Sequence, residues 1–237
     1  MTRPRRAPRT DGDATRLRIL EVAGRLFAQS GYADTTSKVI CIEAGVDLAS
    51  INYHFGSRGG LYEAVLIEGH RRLIDLETLQ ALAGSDLPPE DKLGRLIDGL
   101  VTQFLLEKSW AARVLARELL SPSDHLNALI KQGVEPKIRV GLEVLSQITG
   151  LPPDDPALLR CLVSVLAPSL ALLILGGLEK GVATEVLRTS VDDVADHLKC
   201  FALGGLAAIS TRARNDETKT VRRGSPRRVA PARAAGS

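Results

Sequence analysis

The chain has 237 residues, 44% of them hydrophobic, with a formal net charge of +3 and three cysteines. That length suits one large or two small domains. Cys41, Cys161 and Cys200 are far apart and lack Cys-x-x-Cys spacing, which argues against a disulfide framework or a structural zinc site and for a reducing, cytoplasmic setting. The opening MTRPRRAPRTDGD has no apolar stretch and does not read as a secretion signal.

The charge is unevenly spread. Residues 1–18 carry a net +4 and residues 212–237 a net +6, so the intervening body is acidic at −7. Basic ends on an acidic body suggest arms for a polyanion, although solubilising tails would look the same. Five of the eight aromatic side chains fall before residue 63. A small N-terminal unit with an aromatic core is therefore expected, followed by a larger unit packed with Leu, Ala, Val and Ile.

Taken in order, nearly every segment has helical periodicity. Ile19, Leu20, Val22, Ala23, Leu26 and Phe27 form an apolar stripe, with Asp13 as its cap and Gly31 as its stop. Thr35 or Thr36 caps a short second helix ending at Gly45, and a third covers about 48–54. Ser57 is expected to cap a long fourth helix reaching Leu82, although Gly59-Gly60 predicts a frayed first turn. Further helices are expected at about 88–108 and 109–120. Ser121-Pro122 reads as the start of another, bent near Pro136, and the last two cover about 156–179 and 190–212. Sustained period-two alternation is absent, so the fold class is all-α. The segments are a basic disordered arm (1–13), a three-helix unit (14–60), a helical bundle (61–211) and a basic disordered tail (212–237).

Residues 35–55 have the grammar of a helix-turn-helix: two short helices around AGVD, with Ile40, Ala44, Ile51 and Phe55 as a small core. The face left over carries Ser50, Asn52, Tyr53 and His54, donors and acceptors suited to base edges and phosphates. A plain helical hairpin with a polar face is the bland alternative. The stretch from Ala14 to Leu66, with RIL and LF in the first helix, GY then TT, AGV at the turn, YHF in the third helix, and GSR then LY opening the fourth, resembles the DNA-binding domain of the TetR family of one-component transcriptional repressors. The INYHFGS wording and the later ARELLSP resemble its CecR-like branch.

That resemblance implies that Thr36, Ser37 and Lys38 meet phosphates or an outer base. It further implies that Ala49, Ser50 and Asn52 read bases and that Tyr53, His54 and Arg58 contact phosphates. It implies a homodimer on a pseudopalindromic operator, paired through the last two helices, with a small-molecule effector bound in the bundle. Phe104, Trp110, Arg113, Arg117 and His125 are the candidate effector contacts, being aromatic or polar among aliphatic helices. Trp110 reads equally as core, and Arg117-Glu118 as a structural ion pair.

No cofactor, metal site or catalytic motif is expected. Asp193 and His197 stand four apart, but Ser190 with Asp193 reads better as a capping box. Cys161–Leu178 carries no charge over 18 residues, yet Pro168 and Gly176-Gly177 interrupt it and a buried helix explains it better than a membrane span. The expected function is a ligand-responsive DNA-binding regulator, most readily a repressor; the alternative is an architectural DNA binder without a ligand.

Overall fold

A computed structural model describes residues 10–105, 109–175, 185 and 188–224. Among these there are helices and connecting turns and no strand. In chain order they are α1 (Thr10–Asp34, with non-helical Gly31 near its end), α2 (Ser37–Ala44), α3 (Leu48–Phe55), α4 (Arg58–Leu73), α5 (Leu76–Ala83) and α6 (Pro89–Leu105). Then follow α7 (Trp110–Leu120), α8 (Leu126–Leu129), a π-helical turn (Ile130–Val134), α9 (Glu135–Thr149), α10 (Pro156–Leu175) and α11 (Val191–Gly224).

Most starts are set by local chemistry. The side chains of Thr36, Asp47, Ser57, Asp75, Ser109 and Ser190 each accept a hydrogen bond from an amide three residues on. Such caps contribute about 1 kcal/mol apiece by satisfying an amide the helix leaves orphaned. Gly45 ends α2 in the left-handed conformation (φ 61, ψ 43), which lets α3 turn back across α2.

Several boundaries differ from those the sequence suggests. Helix α1 begins at Thr10, upstream of Asp13. The fourth helix stops at Leu73, because Ile74 is extended (φ −138, ψ 100) and Asp75 caps a separate α5. Ser121-Pro122 opens no helix: the Ser121 amide closes α7 on the Arg117 carbonyl, and Ser123 folds back on Glu118. The bend expected at Pro136 occurs as the π-helical turn just before it, where a wider loop accommodates the missing amide donor. Helix α11 runs on to Gly224 instead of ending near 212, since neither Gly nor Pro interrupts residues 206–223. Of the arm expected at 1–13 and the tail expected at 212–237, residues 10–13 and 212–224 are helical, and 1–9 and 225–237 lie outside the described residues.

One core crosses the expected boundary at residue 60. Phe27, Ile40, Ile51 and Leu61 belong to the same cluster as Val114, Ile97, Leu145 and Leu158. Helix α10 is long and apolar enough to cross a membrane; Leu158, Cys161, Leu162, Val165 and Leu172 are buried on its neighbours, while Leu159, Val163 and Leu170 are exposed.

Helices α4 and α9 are joined by a half-buried polar pair. Lys137 Nζ donates to His70 Nδ1 at 2.8 Å and approaches the His70 carbonyl at 3.4 Å. Burial, reinforced by the Lys137 charge, pushes the imidazole down from 6.5 to about 4, and burial lowers Lys137 to about 8. An unfolded histidine takes up its proton near pH 6.5, whereas the folded one does so only near 4. The contribution is therefore whole above the unfolded value and is lost as pH falls between the two, by on the order of 3 kcal/mol. Urea unfolding at neutral pH and at about pH 4.5 should show a smaller acid-induced loss of stability in His70→Gln than in the parent chain; equal losses would remove His70 as the titrating group.

Candidate nucleic-acid interface

The short helix α3 buries Ile51 completely against Ile40 and Ala44 of α2, with Phe55 and Val46 half-buried beside them. That packing fixes which side chains face outward. Ala49, Asn52 and Tyr53 are exposed, Tyr53 at 84%, while Ser50 and His54 are half-buried. Tyr53 and His54 stack edge to face with centroids 4.9 Å apart, which holds both rings without burying them. Asp47 Oδ1 accepts from both the amide and the hydroxyl of Ser50, at 2.8 and 2.7 Å. The Ser50 proton is thus engaged in capping, and its oxygen remains as an acceptor. Those bonds from Ser50 hold the Asp47 carboxyl below its usual range.

On α2, Lys38 is exposed and Ser37 half-buried, and Thr36 is exposed with its oxygen spent on the Val39 amide. Lys38 and Ser50 share a shallow depression with Thr15 and Arg18 of α1. The sequence reading missed those last two, although Arg18 falls within the basic N-terminal segment. Arg16 lies over the Phe55 ring, 5.2 Å from its centroid. The first helix therefore brings cations to both sides of the α2–α3 pair.

Arg58, which the resemblance puts on phosphates, makes inward contacts in this structure. Its Nη1 donates to the carbonyls of Tyr32 and Thr35, at 2.9 and 2.7 Å, and its guanidinium lies 4.1 Å from the centre of the Tyr32 ring. Arg58 clamps the α1–α2 connection to the start of α4. The glycines after it are explained by space. A Cβ on Gly60 would lie 2.2 Å from the Phe55 carbonyl oxygen, and one on Gly59 would lie 2.9 Å from His125 Cε1. The expected fraying does not occur, because the Ser57 hydroxyl accepts from the Gly60 amide at 3.0 Å.

Helix α7 fastens this unit to the bundle. The Trp110 ring lies against α1 where a Cβ on Gly24 would come within 2.6 Å of it. Its Nε1 donates to Glu21 at 2.9 Å, and Glu21 also pairs with Arg72, which covers the other face of the indole. Burial opposes ionisation of Glu21, but the bonds from Arg72 and Trp110 outweigh it and keep the carboxyl below the usual range. Arg117 donates to the carbonyls of Ala28 and Gln29 in α1, at 2.9 and 2.8 Å. Glu118 is 2% exposed, and its carboxylate accepts from Tyr62 Oη at 2.9 Å and from the Ser123 amide and hydroxyl. Burial and the bond to Glu118 drive the Tyr62 phenol well above its usual value. His125 Nδ1 lies 2.9 Å from Glu63, with its ring edge-on to Tyr32 and Tyr62.

The five candidate effector contacts are therefore not gathered around one cavity. Trp110, Arg117 and His125 build the joint, Phe104 is buried core and Arg113 is exposed. The bundle's narrow apolar cavity lies elsewhere. It is walled by Leu79 and Leu82 of α5, Leu93 of α6, Leu145 of α9, and Leu162 and Val165 of α10, with Lys92 at its edge. Its volume open to the centre of a water-sized sphere is about 20 Å³, and an adjoining groove along α5 and α6 offers about 130 Å³. Among the described residues no cluster of His, Cys, Asp and Glu has metal-binding geometry.

Comparison with known proteins matches both halves. Residues 19–65 fit the family of bacterial regulatory proteins called tetR, and residues 89–206 fit the C-terminal domain of the HTH-type transcriptional dual regulator CecR. The chain is 28% identical over 65 residues to the HTH-type transcriptional regulator UidR of Escherichia coli (strain K12), an alignment covering 27% of this chain and 33% of that protein. The chain thus aligns with about a third of that relative's length. A TetR-family regulator from Mesorhizobium loti superposes with a TM-score of 0.62 at 17% identity, covering 85% of this chain and 98% of that one. The structure of AibR in complex with isovaleryl coenzyme A and operator DNA gives 0.58 at 19% identity, covering 78% and 96%. At such identities the likeness concerns the fold.

The Gly60 contact yields a test in which two effects oppose each other. Helix propensity alone says that Gly60→Ala stabilises by about 1 kcal/mol. The 2.2 Å approach to the Phe55 carbonyl says that it destabilises, by about 1–3 kcal/mol as for other forced insertions. Thermal unfolding should show a lower Tm; a higher one would mean that the α3–α4 turn relaxes freely.

Proposed function

The chain belongs to the TetR family of DNA-binding transcriptional regulators, with a CecR-like C-terminal domain, and on that premise we propose that it is a cytoplasmic homodimeric repressor released from its operator by a small molecule. Such regulators are not enzymes, and their partner is operator DNA. The observation that carries the site assignment is the orientation of α3: Ile51 faces inward while Asn52 and Tyr53 stand in solvent. Asn52 can pair bidentately with an adenine edge, Ala49 leaves room for close approach to the groove, and Ser50 offers an acceptor. Tyr53, His54, Lys38 and the N-terminal turn of α2 with Thr36 and Ser37 would meet phosphates in this reading. Arg18 and Thr15 join that set. Arg58 supports it from behind by fixing the α1–α2 connection.

Pairing of two chains is supported by an apolar surface on the last two helices. Leu159, Val163 and Leu170 of α10 and Phe201 of α11 are exposed, Phe201 at 71%, and Gly204, Gly205 and Ala208 leave α11 open to close approach. Burying these exposed apolar side chains against a second copy would remove them from water. A two-fold dimer would present two α3 helices to half-sites about 34–36 Å apart or a multiple of that. Effector response is supported by the cavity and by the ligand that AibR holds together with its operator.

The test is a gel shift with DNA upstream of the protein's own coding region. Asn52→Ala should weaken binding by about 1–3 kcal/mol, the value of one bidentate base contact, and Asn52→Ala with Tyr53→Ala should weaken it further. Both side chains are exposed, so Tm should hardly move. Unaltered affinity in the double variant would remove α3 as the reading helix.

A further inference from the structure

Leu48 is an apolar side chain that the packing of the small N-terminal unit does not use. It opens α3, is 53% exposed, and lies outside the core cluster formed by the described residues. Its place is nevertheless fixed. Asp47 caps the helix, and its carboxylate accepts from both the amide and the hydroxyl of Ser50, which holds the first turn. Leu48 and Asn52 stand four residues apart, so they lie one above the other along one edge of α3. Ala49 and Tyr53 form the neighbouring row, and all four are exposed. A lone Leu on an arbitrary surface needs no explanation, because much of any protein surface is apolar. Leu48 differs in position: it stands in the turn that leads a reading helix into the major groove.

We propose that Leu48 is a specificity determinant, packing on the C5-methyl group of one thymine in each half-site of the operator. This rests on α3 being the recognition helix, and it names what the leading edge of that helix reads. As α3 enters the groove, Leu48 loses its water, and the base edge opposite loses water with it. Opposite guanine, adenine or cytosine, a donor or acceptor would be left dry against a hydrocarbon, a cost that nothing offsets. Opposite the methyl group of thymine, both partners gain by leaving water. Asn52, on the same edge, suits an adenine. Four residues of α-helix advance about 6 Å and successive base pairs about 3.4 Å, so the thymine falls within about two base pairs of that adenine. Leu48 and Asn52 together select an A·T-rich half-site, through one apolar contact and one bidentate contact.

The full-length chain first selects its preferred sequence from duplexes with about 30 random base pairs, enough for two half-sites. Uracil then replaces the thymine nearest the adenine in each half-site, which removes only a methyl group. In gel-shift titrations the parent should bind the uracil duplex about fourfold more weakly per half-site, the value of one buried methyl, or about fifteenfold for the pair. Leu48→Ala should bind the two duplexes alike, and its Tm should match the parent's because the side chain is exposed. Leu48→Gln should select adenine in place of that thymine and keep the base read by Asn52. Three results overturn the proposal: a methyl effect of equal size in parent and Leu48→Ala, a selected sequence without thymine beside the adenine, or unchanged selection by Leu48→Gln. Asn52→Ala keeps the two readings apart. Where it loses the adenine while the methyl effect fails to follow Leu48, this inference alone is refuted. Where the parent selects no sequence, or neither variant changes the selection, α3 is not the reading helix and both fall together.

Discussion

The contact on which the rest depends is the seating of α7 across α1 and α4. Helices without such a seat would leave α1 to α3 as a small unit tethered by one end of α4. Here an indole lies against α1 at Gly24, a guanidinium holds the carbonyls of Ala28 and Gln29, and a buried carboxylate receives the Tyr62 hydroxyl. These groups are polar or bulky and mutually satisfied, so sliding by one residue would strand several of them at once. A buried Glu118 stripped of its partners would be expensive, of the order of several kcal/mol. The arrangement is therefore discrete, and a discrete arrangement is what a two-state regulator requires.

Seating α7 in this way also determines how a signal can travel. The outward face of α3 is set by Ile51 against α2, and the connection leading into α2 is held to α4 through Arg58. Helix α4 is in turn held by α7 on one side and by the His70–Lys137 pair on another. Any effector that shifts α4 must therefore shift the recognition helix. By linkage, operator DNA must then alter the affinity for that effector by the same factor.

Much of the fold is legible in the sequence because it is locally encoded. Thr36, Gly45, Ser57 and Ser190 mark their helix ends with side chains or conformations that act within three residues. The division of α4 from α5 is not legible, since the apolar period runs on from Leu73 to Leu76 and Leu79 while Asp75 looks like any surface acid. The outward face of α3 could be read, because one buried Ile51 in a helix of eight residues leaves little choice. The inward bonds of Arg58 were not legible for the opposite reason: its partners are backbone carbonyls, which carry no sequence signal. Trp110, Arg117 and His125 attracted attention as unusual residues and are unusual because they build the joint. The cavity escaped notice because Leu and Val lining a space are the same residues as Leu and Val filling one.

The placement of that cavity limits where the molecule can yield. The α1–α4–α7 joint is dense and polar, and motion within it would break buried hydrogen bonds one after another. On the far side of α4 the constraints are lighter. Helix α5 has only eight residues, has Leu79 as its one buried residue, packs chiefly on α9 and α6, and is held at its end by the Lys92 bond to the Ala83 carbonyl. The π-helical turn before Pro136 is a second place where helix geometry is already off its minimum. A rigid joint beside the recognition helix and a lightly held helix beside the cavity divide the labour. A ligand that displaced α5 would need to disturb few buried hydrogen bonds, whereas one that acted on the α1–α4–α7 joint would need to break several.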